Sequence, residues 1–426
     1  MNLLHVIHRY YPYVGGSEQV MQELSERFAR EGHRVSVYTT DAWDLEHFWM
    51  SGKRRIETSS ETHNGVEIHR FPVRRLPLSP FAYPALRRLM ALVGRLPVNT
   101  KPLLFFLARV TPRVPQLDRA LDTLDASVDL VHVANISLDS LVYAAYRLSR
   151  RRRIPLVITP FMHLGEPGDR RVRRAYTMPH QIEMLRQADA VIVQTELEQQ
   201  ALQDFGVPAS KIHCIGVGVN PEFGVGGRAE RFRAKYQVEG PIVFSVGAAA
   251  FDKGTMHVVK AMEKLWAQNL QPVPTLVIAG PALSPFQRFI AGRSADTQRR
   301  TRVLGFIADE DKRDLFAAGD VLVLPSRMES FGIVYLEAWL YNKPVIGALA
   351  GGVPAVISEG QNGFLVPFGD TQALAARIAQ LLQDGGLAAR LGQAGHVFVQ
   401  SRWTWDQKFV QVRDLYQQVL MARSRR

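Results

Sequence analysis

The sequence predicts an α/β protein made of two domains, each a doubly wound, mainly parallel sheet. Short runs rich in valine and isoleucine alternate with helix-length segments, as they do where crossover helices join parallel strands. The alternation pauses at a glycine-rich stretch near residue 220 and then starts again. With 426 residues, the chain is also long for a single hydrophobic core.

The first predicted domain covers residues 1–220. It opens with the apolar run LLHVIH (3–8), a helix with apolar spacing over about 17–30, and the run RVSVYTT (34–40). Together these predict a strand, helix, strand unit. Further strands are expected from the Val/Ile-rich runs at 128–134, 154–159 and 188–195.

The second predicted domain covers residues 229–402 and follows a candidate hinge at 216–227. Its predicted strands are PIVFSVG, PTLVIAG, TRVLGF, DVLVLPS and KPVIGA, and the segments between them are long enough for crossovers. Residues 403–426 predict one long helix, which we expect to return to the first domain. Its apolar face would carry Phe409, Val412, Leu415, Val419 and Leu420, with basic residues at its end.

Residues 72–118 break the alternation. They mix arginines with leucine-rich and aromatic pieces and several prolines, which predicts an insertion with one or two amphipathic helices. Such a segment either lies on an anionic membrane surface or forms a helix pair that covers the domain's own cleft. Basic clusters at 150–153 and 170–174 are typical both of solvated faces and of surfaces that meet phosphates.

Composition limits the classes of function. Hydrophobic residues make up 46% of the chain and charged residues 22%, which argues against disordered and fibrous architectures. The net charge of +12 predicts attraction to anions, whether phosphates, nucleic acid or acidic lipids. The single cysteine, Cys214, lies in an apolar run and is predicted to be a buried structural thiol, so a reducing compartment is expected.

The sequence also predicts a location. The first residues lack a basic leader with an apolar run and a cleavage site, and no stretch reaches about 18 uninterrupted apolar residues. We therefore expect neither secretion nor a membrane span. The expected place is the cytoplasm, with peripheral contact to the inner membrane face through residues 72–118 as an option.

Ligands of doubly wound sheets bind outside the carboxyl ends of the strands, so the loops there hold the candidate site residues. In YYPYVGGSEQ, Gly15 and Gly16 precede a helix start and suit a phosphate, although a glycine pair is as often structural. In TPFMHLGEPG, His163 can hydrogen-bond a substrate hydroxyl or a reacting centre. Most of the 12 histidines must be incidental.

Two loops of the second domain are more informative together than alone. In FSVGAAAFDKG, Lys253 before a helix can neutralise a diphosphate, but an ordinary turn with a solvated lysine looks the same. In SRMESFGIVYLEA, Glu329 precedes a predicted helix with Ser330 as its N-cap, and Glu337 lies inside its apolar run. An unpaired charge at Glu337 would be costly, whereas ribose hydroxyls would satisfy it. The residues predicted to begin this helix and bind an anion are Phe331, Gly332 and Ile333.

The four loops, in this order, resemble the retaining, nucleotide-sugar-dependent glycosyltransferases of family four, also called group 1. The resemblance covers nearly the whole chain and is most specific in GDVLVLPSRMESFGIVYLEAWLYNKPVIGALAGGVPAVI and EGQNGFLV. It implies the GT-B fold of two facing Rossmann-like domains with the site in the cleft between them. The donor is a nucleoside diphosphate sugar, and no cofactor, metal or nucleic acid is expected.

The resemblance also implies roles for individual positions. Glu329 matches the acid beside the donor sugar and Glu337 the acid that holds the ribose. His163 matches the histidine facing the transferred sugar, and Lys253 the basic residue on the phosphates. Backbone amides would complete the donor site, with Gly16 near the diphosphate, Gly332 and Ile333 at the distal phosphate, and Gly305 and Phe306 at the base.

One position departs from the family pattern. After Gly247, where the family usually has an arginine paired with the lysine, this chain has Ala248. A charged hydrogen bond contributes roughly 1.5 to 3 kcal/mol, so donor affinity should fall by one to two orders of magnitude unless another group substitutes. An unusual donor, an arginine from elsewhere and a weakened enzyme all fit this change.

We expect a hexosyltransferase that acts with retention on a lipid-linked acceptor or a growing glycan in cell-envelope or polysaccharide synthesis. Two other classes are weighed against it. A dinucleotide-dependent oxidoreductase should carry G-x-G-x-x-G together with an acidic ribose ligand after a second strand, and the glycine motif is absent from the sequence. A basic binder of nucleic acid or membrane surfaces without catalysis would fit the pI of 9.9 and Ala248.

Overall fold

The computed structural model describes residues 1–124, 127–268 and 271–424, and the chain divides into two compact units. Unit 1 consists of Met1–Met162, Arg170–Gly216 and the residues from Phe409 onward. Unit 2 consists of His163–Asp169 and Val217–Lys408. Each unit contains a mainly parallel sheet with helical crossovers, so the predicted α/β fold class is confirmed.

Unit 1 is built on strands whose apolar side chains are almost all buried. These are β1 (Asn2–Val6), β2 (Arg34–Thr40), β3 (Ser60–His63), β4 (Val66–Phe71), β5 (Leu130–Ala134), β6 (Leu156–Thr159), β7 (Ala190–Val193) and β8 (Ile212–Cys214). Within the described residues they form an eight-stranded sheet in the order β3-β4-β2-β1-β5-β6-β7-β8, antiparallel only between β3 and β4. The strand order therefore reverses between β1 and β5.

The helices of unit 1 follow the strands as crossovers or lie in the segment between β4 and β5. They are α1 (Gly16–Arg30), α2 (Ala82–Val93), α3 (Lys101–Ala108), α4 (Pro115–Asp122), α5 (Asp139–Arg152), α6 (Arg170–Arg174), α7 (Pro179–Gln187) and α8 (Glu196–Asp204). The predicted insertion at 72–118 contains all of α2 and α3 and the start of α4. The two complete helices, α2 and α3, agree with the prediction of one or two helices.

The insertion packs on unit 1 through a narrow apolar face. Met90 of α2 and Leu104 of α3 are buried against Met178, and Arg87 forms an ion pair with the buried Asp139. Its outer side stays apolar as well as basic. The exposed large hydrophobic residues there are Leu78, Phe81, Leu89, Leu92, Leu96, Val98, Leu103 and Phe106.

Unit 2 repeats the architecture with a smaller sheet. Its strands are β9 (Ile242–Val246), β10 (Thr275–Ala279), β11 (Thr301–Gly305), β12 (Val321–Leu324), β13 (Val345–Ala348) and β14 (Phe364–Val366). In the described chain these six strands are all parallel, in the order β11-β10-β9-β12-β13-β14, so the order reverses between β9 and β12.

The helices of unit 2 alternate with its strands and cover a core that includes Val259, Met262 and Phe286. They are α9 (Ala229–Tyr236), α10 (Thr255–Ala267), α11 (Ser284–Ala291), α12 (Ala295–Arg300), α13 (Asp309–Ala318), α14 (Ile333–Leu340), α15 (Thr371–Gln383) and α16 (Gly385–Arg402). Across the residues that the structure describes, no helix is both long enough and apolar enough to cross a bilayer.

The last helix, α17 (Trp405–Ser424), begins two residues later than the sequence predicts, and the final two residues of the predicted helix lie outside the described residues. Its part from Phe409 onward belongs to unit 1. Tyr416 is fully buried there, stacks on Phe28 and shares its hydroxyl with two histidines. The Tyr416 Oη atom lies 2.6 Å from His132 Nδ1 and 3.3 Å from His5 Nε2.

The prediction of a buried structural thiol at Cys214 was wrong. Cys214 ends β8, the strand at one edge of the unit 1 sheet, and its side chain is exposed. Along this short strand only Ile212 is buried. A strand of three residues at the edge of a sheet is not covered on both faces by the rest of the protein. The apolar pattern of the sequence therefore predicted more burial for Cys214 than the structure has.

Candidate active site

The reversal of strand order in unit 2 brings two loops together. Ligand sites of doubly wound sheets lie at such a switch point, outside the carboxyl ends of the two strands that flank it. The loop after β9 contains Asp252 and Lys253, and the loop after β12 contains Ser326 and Arg327. The backbone N–H of Arg327 donates to the Asp252 carbonyl at 3.0 Å, and Ser326 Oγ donates to the same carbonyl at 3.2 Å. The two loops are therefore fixed to each other.

Lys253 and Glu329 meet at this point as an ion pair. Glu329 is also held through its backbone, because its carbonyl accepts a 2.8 Å hydrogen bond from the Gly352 N–H. Gly351 passes so close that a Cβ atom there would lie 2.3 Å from the Glu329 carbonyl oxygen, and its φ of 61° also favours glycine. The glycine pair after β13 thus fixes where the Glu329 side chain begins.

His163 joins the same cluster through the short segment His163–Asp169 of unit 2. The Gly351 N–H donates to the Gly165 carbonyl at 2.8 Å, which ties that segment to the glycine pair. Burial, together with the nearby positive charge of Lys253, lowers the pKa of His163 to about 4, while Glu329 opposes the shift. His163 is therefore neutral at pH 7. The structure thus brings together the three predicted residues His163, Lys253 and Glu329.

Glu337 lies one helix further on and is almost completely buried. Its charge is balanced by a cation that the sequence analysis did not identify, since Lys312 Nζ on α13 lies 2.6 Å from Glu337 Oε1. The Lys312 ammonium also faces the Phe223 ring at 4.9 Å from its centroid. Glu337 therefore has a charged partner within the protein, and the predicted hydrogen bonds to ribose hydroxyls stay a prediction.

The start of α14 differs from the prediction. Ser330 is not the N-cap, because the helix begins at Ile333 and is preceded by Gly332 with φ 98°. A Cβ atom at Gly332 would lie 2.4 Å from the Tyr335 ring, so only glycine fits this turn. Ser330 and Phe331 belong to the loop, and the Phe331 ring packs 4.8 Å from Trp403 between centroids. Gly332, the N-cap, has no side chain that could cap the helix, which leaves the first N–H groups of the helix to other acceptors.

The carboxyl ends of β9, β10 and β11 form a row of glycines. Gly247 donates its N–H to the Ala279 carbonyl at 2.8 Å, and Gly280 donates to Gly305 at 2.7 Å. A Cβ atom at Gly280 would lie 2.1 Å from the Gly247 carbonyl oxygen. Gly247, Gly280 and Gly305 thus form a surface without side chains at the carboxyl edge of the sheet, named here the glycine shelf. Phe306, which is 67% exposed, lies beside it. The predicted residues Gly247, Gly305 and Phe306 all lie at this edge.

Gly15 and Gly16 lie in unit 1, at its own switch point between β1 and β5. Gly15 is the N-cap of α1, and Gly16 is the first helical residue. A Cβ atom at Gly15 would lie 2.6 Å from Glu18 Oε2. Glu18 is buried and contacts His8 at 3.1 Å and Arg9 at 2.7 Å. Burial raises the pKa of Glu18, but the charges of His8 and Arg9 outweigh it and hold the pKa well below its usual range.

Sequence reasoning missed Lys312 and Arg327. Arg327 lies in the loop after β12, and its guanidinium group pairs with Asp252 at 2.6 Å and with Glu166 at 3.5 Å. It therefore does not stand as a free replacement for the arginine missing at Ala248. Motif spacing gave no signal for Lys312, whose position depends on how α13 packs near α14. Among the described residues, no group of three or more His, Cys, Asp or Glu side chains could hold a metal ion.

Comparison with protein families matches most of the chain in two consecutive blocks. The model described as "Glycosyl transferase 4-like domain" matches residues 15–218, and the model described as "Glycosyl transferases group 1" matches residues 228–397. The chain is 31% identical over 251 residues to a D-inositol 3-phosphate glycosyltransferase of Xylanimonas cellulosilytica. The match covers 56% of this chain and 59% of that relative, so the chain spans less than two thirds of the relative's length.

Solved structures match over the whole fold. A sucrose-phosphate synthase from Thermosynechococcus elongatus superposes with a TM-score of 0.75 at 23% identity, covering 99% of this chain and 100% of that one. Anabaena HepE in complex with UDP and glucose gives 0.69 at 19% identity, covering 97% of this chain and 99% of HepE. At such identities the likeness is one of fold, and it confirms the predicted GT-B architecture.

Proposed function

Because the chain belongs to the glycosyl transferases of group 1, of the family-four type, we propose that it transfers a hexose from a nucleoside diphosphate sugar to an acceptor with retention at the anomeric carbon. The observation that carries the proposal is the cluster of His163, Lys253 and Glu329 at the switch point of unit 2. A cation, a carboxylate and a neutral imidazole meet there beside a helix start. Such a set can hold both the anionic and the hydroxyl-rich parts of one ligand.

The donor is proposed to bind by its nucleotide. Glu337 would accept hydrogen bonds from the ribose hydroxyls, while Lys312 keeps part of its charge compensated. The exposed Phe306 ring would stack on the base beside Gly247 and Gly305, where an added Cβ atom would meet nothing within 4 Å. The N–H groups of Gly332 and Ile333, with Lys253, would meet the phosphates.

The chemistry we propose is stabilisation of the leaving group. As the bond between sugar and diphosphate breaks, negative charge grows on the diphosphate, and Lys253 and the α14 amides offset it without a metal ion. Glu329 would orient the sugar and stabilise its developing positive charge. His163, neutral at pH 7, would donate a hydrogen bond to a sugar hydroxyl. In unit 1, the amides behind Gly15 and Gly16 form a second helix start suited to an anion.

The acceptor is proposed to be lipid-linked or a growing glycan, used at the inner membrane face. What supports this is the outer side of α2 and α3, where Phe81 is 79% exposed and Phe106 68%. Apolar side chains interleaved with arginines are the composition that binds anionic bilayer surfaces. The test is co-sedimentation with phosphatidylglycerol vesicles. Phe81→Ser with Phe106→Ser should reduce binding, whereas the control Val397→Ser, at an apolar residue of α16 that is 56% exposed, should not.

The donor assignment is tested by thermal shift. Wild type is heated with UDP, GDP, ADP and their hexose conjugates, alongside Glu337→Gln and the control Glu230→Gln, an exposed glutamate of α9. One nucleotide family should raise the melting temperature of wild type and the control but much less that of Glu337→Gln. If no nucleotide stabilises wild type, or if Glu337→Gln responds like wild type, the donor site is not the one proposed.

Retention is tested on the product. The anomeric proton of a product made from an α-linked donor sugar should show the small coupling of an α-linked product for gluco-configured sugars. A β-linked product would mean inversion and would exclude the leaving-group mechanism with attack on the same face.

A further inference from the structure

Unit 1 contains a basic cavity that the proposed donor site does not use. The loop after β4 and the segment from Arg113 into α4 border an open cavity of about 570 Å³, lined by Val73, Arg74, Arg75, Arg113, Pro115 and Arg119. A second cavity of about 390 Å³ shares Val73 to Arg75 with it, and its lining adds Lys53, Arg55, Asp41 and His47. The two cavities form one region, named here the basic cradle.

The backbone of the cradle is fixed by hydrogen bonds. The Arg74 N–H donates to the Arg113 carbonyl at 2.8 Å, which joins the two chain segments that carry the arginines. The Val73 N–H donates to Asp41 Oδ1 at 3.0 Å, and the Asp41 N–H donates to the Phe71 carbonyl at 3.1 Å. The arginines therefore project from a shared frame and not from a long mobile loop.

The charges of the cradle are unbalanced. Across the described parts of the chain, no carboxylate forms an ion pair with Arg74, Arg75, Arg113, Arg119 or Lys53. Arg55, which also lines the second cavity, is paired with Glu57, and Arg54, which does not line either cavity, is paired with Asp44. Asp41, the carboxylate in the lining, is occupied by the Val73 N–H and faces His47 at 3.6 Å. Several cations around one cavity repel each other, and a multivalent anion relieves that repulsion.

The cradle lies where a doubly wound sheet binds its ligands. Asp41 follows β2 and Val73 follows β4, so both stand at the carboxyl edge of the sheet that also carries the loop with Gly15 and Gly16. Phe48, the neighbour in sequence of the lining residue His47, has its ring 6.3 Å from that of His8 between centroids. His8 in turn contacts Glu18 at 3.1 Å.

We propose that the basic cradle binds a phosphate or diphosphate group of the acceptor. This inference rests on the proposed function and names the acceptor class for it. Guanidinium groups bind phosphate oxygens in pairs, and four arginines around one cavity match a doubly charged group better than a neutral sugar. The phosphate belongs either to a soluble sugar phosphate or to a lipid headgroup.

The test measures anion binding with the donor site already filled. Inorganic pyrophosphate is titrated by calorimetry into the full chain, saturated with whichever nucleoside diphosphate stabilises it. The proteins are wild type, Arg74→Gln/Arg113→Gln, and the control Arg150→Gln, an exposed arginine at the end of α5 without an ion pair among the described residues. The double variant should bind pyrophosphate at least about tenfold more weakly, since it lacks two charge-assisted contacts, and the control should match wild type.

Nucleotide binding separates this inference from the proposed function. If the double variant keeps wild-type affinity for the nucleotide and loses pyrophosphate binding, the cradle is a separate anion site, as proposed. If wild type binds the nucleotide but no pyrophosphate, or if Glu337→Gln abolishes pyrophosphate binding, the cradle assignment fails while the donor site stands. If no nucleotide binds but pyrophosphate does so through the arginines, the proposed function fails and an anion site remains.

The source of the phosphate is decided by two further probes. Glucose 6-phosphate is titrated as the soluble probe, and phosphatidic acid in phosphatidylcholine vesicles serves as the lipid probe, with pure phosphatidylcholine as the blank. Binding of either probe that is lost in Arg74→Gln/Arg113→Gln supports the proposal and identifies the source. Binding of both probes that is equal in wild type and the double variant overturns it.

Discussion

Removal of the Lys312 ammonium should destabilise unit 2 more than removal of its partner charge. Loss of one member of a buried ion pair costs about 3 to 5 kcal/mol, because the other charge stays buried without compensation. The Glu337 side chain is 6% exposed and that of Lys312 is 26% exposed. In Lys312→Gln the buried carboxylate is the charge left behind. Since water reaches the position of the ammonium, we expect a cost slightly below this range, about 2.5 kcal/mol.

In Glu337→Gln the remaining charge is the ammonium, which is better hydrated and still faces the Phe223 ring. We expect a cost of about 1 kcal/mol there. For a unit of roughly 200 residues, each kcal/mol lowers the melting temperature by about 2 to 4 °C, so the expected losses are about 5 to 10 °C for Lys312→Gln and about 2 to 4 °C for Glu337→Gln.

The assay is calorimetric or fluorescence-detected unfolding of the full chain in urea and on heating, with the double variant Lys312→Gln/Glu337→Gln completing the cycle. The double variant should be more stable than Lys312→Gln alone, because no charge is then left buried. Equal losses in the two single variants, or a double variant that only adds their costs, would show that the pair is not the buried, coupled unit described above.

Three further outcomes are expected. Lys253→Met should reduce kcat by about ten- to a hundredfold, because a charged contact to the leaving group is lost. In the same variant, NMR should show the pKa of His163 rising above about 4, since a neighbouring positive charge is removed. An unchanged pKa of His163 would mean that the two side chains do not interact. Gly351→Ala should displace Glu329 and cost at least about 1 to 2 kcal/mol of strain from its left-handed backbone, which unfolding and activity measurements would detect. Burial lowers the pKa of His5 to about 3. Its unfolded pKa of about 6.5 is higher, so protons favour the unfolded chain, and His5 alone should lower the stability by about 1.4 kcal/mol between pH 7.5 and 5.5. His5→Gln should reduce the fall in stability by that amount, and an unchanged pH dependence would assign it to other groups.

Parallel strands were the easiest elements to predict, for a physical reason. A strand covered on both faces is a continuous apolar run, as in β5 (Leu130–Ala134), where every residue is buried. Strand β4 (Val66–Phe71) escaped prediction because its burial alternates along VEIHRF and polar residues interrupt the run. Strand β14 (Phe364–Val366) is too short to produce a pattern.

The candidate site was predictable where it depends on loops at strand ends. Lys253 lies in the loop after β9, and Glu329 lies in the loop after β12. Once the order of the strands is known, the rule that ligands bind at switch points predicts that these two loops lie together. Lys312 could not be found this way, since it lies 25 residues from Glu337 and its role follows from how two helices pack. Ser330 was favoured as an N-cap by its side chain, whereas Gly332 determines the turn through its positive φ.

Helix α17 affects how this protein can be divided for engineering. Tyr416 completes the hydrogen bonds of His132 in the first sheet, although it follows all of unit 2 in the chain. A chimera that joins the first half of this chain to the second half of a relative would place a foreign side chain against that histidine. A successful exchange of modules therefore needs residues 409–424 to travel with the amino-terminal half as a third transplanted piece.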